Sequence, residues 1–139
     1  MALIGDTGNG ATATFGTSTL SLAVVGMKIG EQTIDMLDVS TLATTSDQEM
    51  ISSDLKKTQD VTLDVLFVAT ATAPVVGAAP ETMTITFPLF TGTTVAATLA
   101  GTAQFISFKL PDLANGQLMM SQVKWKYNGD TGPTYTKAT

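Results

Sequence analysis

Cysteine, histidine and arginine are absent from this chain, and all seven of its cations are lysine. Without cysteine no disulfide can staple the fold. Without histidine or cysteine the familiar triads, Cys–His pairs and imidazole or thiolate zinc sites are excluded. Without arginine there is no planar fork to grip a phosphate or carboxylate bidentately. Charge is scarce as well: 14% of the 139 residues are charged, against roughly 25% in ordinary soluble domains. A surface so short of charge is expected to be covered by something. Long apolar runs are also missing, because no segment approaches the ~18 residues of a membrane span. The opening MALIGDTGNG has no lysine before its apolar residues and no h-region, so no signal peptide is expected.

What is present is threonine, alanine, glycine and serine around a 44% hydrophobic content. The length suits one domain with one core, taken as 1–139. The net charge is −5 and the isoelectric point about 4.3, opposite to the electrostatic footprint of a protein that holds nucleic acid by its phosphates.

Periodicity is close to two wherever it is clear, the mark of half-buried strands. In DVTLDVLFV, Val61, Leu63, Val65 and Phe67 share a face. ETMTITFPLF places Met83, Ile85, Phe87 and Leu89 on one side, and LMMSQVKWKYNG does the same with Met119, Val123, Trp125 and Tyr127. Weaker strands are predicted over Ser18–Ile29, Gln32–Val39, Thr93–Leu99 and Gln104–Lys109, with Gly26 marking a bulge that turns both Val24 and Met27 inward. Phe105 or Phe108 joins the aromatic core. The fold class is therefore all-β, or β with one short helix: an antiparallel β-sandwich or barrel of about seven or eight strands. The helix option rests on Thr45–Leu55, where Ser46 and Glu49 have capping-box spacing; a long ordered loop is the alternative. Ala69–Ala79 reads as a small-residue loop. Three segments lack a core-facing pattern: an N-terminal arm (1–16), a polar loop (43–59) and a C-terminal tail (129–139).

Chemistry is thin. Asp6-Thr7-Gly8 and Asp130-Thr131-Gly132 match the triplet of aspartic proteases, yet their flanks do not, and polar Asp/Gly turns explain them. Gly5–Gly10 has no strand before it, no helix after it and no lysine to complete a phosphate loop. Asp35 with Asp38, and Asp60 with Asp64, lack the dense oxygen-ligand spacing of a calcium loop. Lys124 and Lys126 are too sparse for a nucleic-acid patch and are expected to meet carboxylates of a partner subunit or solvent. No enzymatic activity, metal or cofactor is expected.

DVSTL (Asp38–Leu42), SDLKKTQDVTLDVLF (Ser53–Phe67), PETMTITFPL (Pro80–Leu89), TLAGTAQFISF (Thr98–Phe108) and LMMSQVKWKYNGDTGPTYT (Leu118–Thr136), in that order, resemble the major tail tube proteins of long-tailed bacteriophages, within the tail tube and type VI secretion tube superfamily. The chain departs from that pattern at Lys57-Thr58-Gln59, where relatives often carry glycine. The resemblance implies a virion structural protein forming stacked homo-hexameric rings that conduct DNA without binding it specifically. It also implies tape measure, tail terminator and baseplate or tail-tip proteins as partners, no membrane, and assembly in the host cytoplasm. The long loop and terminal arms would then reach neighbouring subunits, with Thr44, Thr45, Ser46, Asp47, Gln48, Glu49, Met50, Ile51, Lys56 and Lys57 as contact residues. Asp60 and Asp64 are the candidates to face an acidic lumen that repels the polyanion. The alternatives are another virion β-sandwich, such as a head-decoration or tail terminator protein, and a carbohydrate-binding or adhesive β-sandwich.

Overall fold

The computed structural model describes residues 8–16, 23–67, 72–129 and 131–139. All regular structure among them is antiparallel β: β1 (Thr12–Phe15), β2 (Ala23–Ile29), β3 (Thr33–Asp38), β4 (Met50–Lys57), β5 (Asp60–Leu66), β6 (Glu81–Thr86), β7 (Thr98–Lys109), β8 (Met120–Tyr127) and β9 (Thr134–Thr136). Seven of these form one sheet in the order β1-β6-β7-β8-β5-β2, with β9 on β7; β3 and β4 pair only with each other.

The large sheet is curled into a half-barrel. Along the sheet β1 lies three strands from β8, which in a flat sheet would separate them by about 14 Å. Yet Phe15 of β1 stacks edge-on against Trp125 of β8 with ring centroids 5.8 Å apart, and lies 5.5 Å from Phe105. The curl closes the sheet over its own apolar face, which is how a single layer hides Trp125, Tyr127, Leu63, Met83 and Val123 completely. Cross-strand neighbours such as Leu63 with Val123 and Val61 with Trp125 build that face, the pair contact by which sheets are stabilised. Val24 and Met27 both pack against it across a bulge in β2, as the glycine predicts. A groove of about 430 Å³ is lined by Val24, Met27 and Ile29 of β2 and by Ala11, Ile85 and Phe87.

Several expectations are corrected by this arrangement. Thr93–Leu99 and Gln104–Lys109 are not two strands: Thr98–Lys109 is one, bulged between Phe105 and Ser107. Leu89 and Met119 lie beyond the ends of β6 and β8 and are exposed, because the alternation continues past the last ladder hydrogen bond. No helix occupies Thr45–Leu55; its second half is β4. The described part of the N-terminal arm contributes β1 to the sheet, and the C-terminal tail contributes β9. The last residue is tied back too, since Thr94 and Val95 N–H groups donate to the Thr139 carbonyl. Asp6 and Asp130, and with them both DTG triplets as units, fall outside the described residues, as do Leu20, Leu22 and the start of the loop at Ala69.

Gly101 shows how tightly the tail is seated. A Cβ there would lie 2.8 Å from Pro133 Cα and 3.2 Å from the Tyr127 ring. Only glycine lets β8 and β9 follow one another along the same side of β7.

Candidate functional site

The residues that sequence reading assigned to subunit contact gather on the one part of the chain that has no core. Ile29 ends β2 and Asp60 starts β5, and these two strands are neighbours in the large sheet. Between them the chain leaves the sheet, runs out as β3, turns, and returns as β4. The base of this hairpin is fixed. Gly30 N–H donates to the Asp60 carbonyl at 2.7 Å, and a side chain at Gly30 would collide with Asp60. On the return strand the Thr58 hydroxyl donates to the Tyr127 carbonyl at 2.6 Å.

Beyond that base nothing among the described residues covers the hairpin. Every residue of β3 is exposed and only Ser53 of β4 is partly covered. The ladder runs from Thr33 opposite Lys57 to Asp38 opposite Met50, with a bulge between Ile34 and Met36. Because of the bulge neither face is cleanly apolar or polar. Met36, Leu37, Ile51 and Leu55 are half exposed or more, and Leu42 at the turn is fully exposed. An isolated two-stranded ribbon is marginal in water, and contiguous exposed apolar side chains on a folded protein mark interaction surfaces.

The outer loop is held by its own side chains. The Asp38 carboxylate accepts from the Ser40 N–H at 2.8 Å and from the Gln48 amide, so these donors hold it below the usual carboxylate range. Ser40 Oγ accepts from the Glu49 N–H, and the Val39 N–H donates to the Glu49 carbonyl. Thr44 caps the Thr41 turn. Thus Thr44–Glu49 are ordered loop, whereas Met50, Ile51, Lys56 and Lys57 are strand; Lys57 is bound to Asp35 at 3.3 Å across the ribbon. The sequence missed the apolar half of this surface, Ile34, Met36 and Leu37, by reading β3 as a core strand. The broken alternation of those residues was the available signal.

Asp60 and Asp64 do share a face, the outer one of β5, and stand on it among lysines. Register places Lys126 opposite Asp60, Lys124 and Lys28 opposite Thr62, and Lys109 in the row of Gln122 and Asp64. Lys124 Nζ lies 3.2 Å from Asp60, and Gln122 donates to Asp64 at 3.4 Å. Four lysines against two aspartates make this face net positive, not acidic. At its far end Leu66 and Met120 stand opposite each other, each more than a third exposed. Among the described residues no cluster of carboxylates is arranged to hold a metal ion.

Comparison with known proteins is sharply divided between sequence and shape. No family model matches the chain, and no curated protein matches it by sequence. Solved structures do match. A chain of the sheath/tube terminator of PVC, an extracellular contractile injection system, in its extended state, superposes with a TM-score of 0.75 at 9% identity over 98% of this chain and 99% of that one. A chain of the tube-terminating cap of the anti-feeding prophage gives 0.75 at 12% identity, covering 99% and 95%. A chain of the PVC sheath–tube complex in the extended state gives 0.68 at 9% identity, covering 91% and 88%. The fold of this chain, nearly end to end, is therefore similar to that of components of contractile injection systems, including tube-terminating ones.

Proposed function

We propose that this protein is a non-enzymatic structural subunit of a phage tail or phage-like injection particle, and that it closes the end of the tube as a terminator or cap. The observation that carries the reading is the β3–β4 hairpin, an ordered ribbon with apolar side chains on both faces and no core of its own to cover them. Such a ribbon gains stability from a neighbouring subunit, and closed rings are the common way for identical chains to satisfy such a surface. Support for the terminal position comes from likeness: the two tube-terminating chains cover essentially all of this fold. Six copies per ring and a conduit for DNA are the details that the tail-tube resemblance would add, and contact with tube and sheath is what the likeness to sheath–tube structures would add.

A second reading, subunit of the tube body itself, is favoured by the likeness to the sheath–tube complex. Electron microscopy of the purified protein separates the two. A terminator gives discrete rings that stop at one or two layers and decorate the ends of tubes, while a body subunit polymerises into long hollow tubes. A chain that remains monomeric at millimolar concentration contradicts both.

A further inference from the structure

The chain's charge is divided between two surfaces. Residues 31–57, the hairpin and its turn, hold six of the twelve carboxylates and only two of the seven lysines, so they account for −4 of the net −5. Asp35 is neutralised by Lys57, and Asp38 is occupied by Ser40 and Gln48. Among the described residues, Glu31, Asp47, Glu49 and Asp54 have no ion-pair partner. The outer face of β2, β5, β8 and β7 has the opposite sign, with Lys28, Lys109, Lys124 and Lys126 against Asp60 and Asp64. Of these lysines, Lys124 is held by Asp60 and Lys109 by Asp112, leaving Lys28 and Lys126 unpaired among the described residues. Both surfaces also present apolar side chains, Leu37, Ile51 and Leu55 on the hairpin and Leu66, Met120 and Ile106 on the sheet.

We infer that the hairpin of one copy docks on the outer sheet face of the next, its unpaired carboxylates meeting Lys28 and Lys126 while the apolar side chains of both surfaces are covered together. This rests on the self-assembly reading above and specifies its two surfaces. The contact is head-to-tail: the patches differ, so each copy offers both and copies follow one another around a ring. Complementary charge on such surfaces fixes register and speeds encounter. Within one chain β3 and β4 pair only with each other, and the hairpin base is pinned at Gly30 and Thr58.

Two charge-reversed proteins test this. One carries Asp47→Lys, Glu49→Lys and Asp54→Lys on the hairpin; the other carries Lys28→Glu and Lys126→Glu on the sheet. All five side chains are unpaired among the described residues, and Trp125 fluorescence verifies that each variant retains its core. In sedimentation velocity each variant alone is expected to associate at least about tenfold more weakly than the parent, since like charges now face each other. An equimolar mixture is expected to recover association, because every hairpin then meets a face of opposite sign. The parent is expected to dissociate as salt rises to roughly 0.5 M, where screening acts over about 4 Å. A parent that assembles while both variants assemble equally well, or a mixture that fails to recover, overturns this docking geometry and leaves self-assembly standing. A parent that never associates overturns the self-assembly reading and the docking with it.

Discussion

The β5–β8 pair and the β3–β4 pair are both antiparallel ribbons of similar length, yet they solve opposite problems. In β5 and β8 strict alternation sends Val61, Leu63, Val65, Val123, Trp125 and Tyr127 to one side, and the sheet curls over them. In β3 and β4 a bulge breaks the alternation, apolar and charged side chains share both faces, and nothing among the described residues folds over either. The first ribbon is finished by its own chain. The second is left exposed, and on that exposure the proposed assembly rests. A hydrophobic residue is thus informative by its place: Leu63 is sealed in the core, while Leu55 stands exposed on the ribbon that we propose is covered by another subunit.

That contrast can be broken most forcefully at Trp125. Trp125→Ala should cost about 3–5 kcal/mol, a large part of the ~5–15 kcal/mol that holds a domain of this kind, and chemical denaturation should show the isolated subunit unfolding far earlier. Next in size, Gly101→Val should strip β9 from β7 at a cost of roughly 1–3 kcal/mol, read as faster hydrogen exchange at Thr134–Thr136 with β5 and β8 unchanged. Replacing the ribbon beyond Ile34 and Lys56 by a short turn should change subunit stability by less than about 1 kcal/mol while abolishing association; loss of the folded core in this deletion would erase the distinction between the two ribbons. The pH responses sharpen the comparison further. Burial pushes the Tyr127 hydroxyl above its ordinary value, and the hydroxyl donates to the Met83 carbonyl. A raised acid contributes stability below its unfolded pKa and loses it as pH rises through the folded one, so the core should weaken in alkali above about pH 10. Asp38 runs the other way. Its lowered pKa means that its support for the loop persists above the ordinary carboxylate range and fades only as pH falls through the lowered value. Amide signals of Ser40 and Gln48 should report that change with no change at Trp125, the smallest effect of the series.

Much of the subunit core was legible from alternation alone, because a period of two fixes which side chains turn inward once a strand exists. Val61, Met83, Ile85 and Trp125 all follow it. Legibility failed where a strand's partner is short or remote. Thr12–Phe15 and Thr134–Thr136 are too short to show a period, and their pairing with β6 and β7 is decided by tertiary contact. Phe15, read as part of a polar arm, is an aromatic wall of the core for that reason. β4 was hidden differently: MISSDLKK is exposed on both faces and shows no pattern of burial, so it looks like a loop. The outer-face lysines were visible as residues but not as a group, since Lys28, Lys109, Lys124 and Lys126 come together only when β2, β7 and β8 are aligned. That grouping sets Asp60 and Asp64 among lysines on the outer face.

Hydrogen exchange measured on dilute subunits and on concentrated assemblies examines the central contrast most directly. The amides of β5 and β8 should be protected in both states, and those of β3 and β4 should exchange rapidly in the free subunit and become protected on assembly. Equal protection of the hairpin in the free subunit, or its continued rapid exchange in the assembled state, would contradict the account.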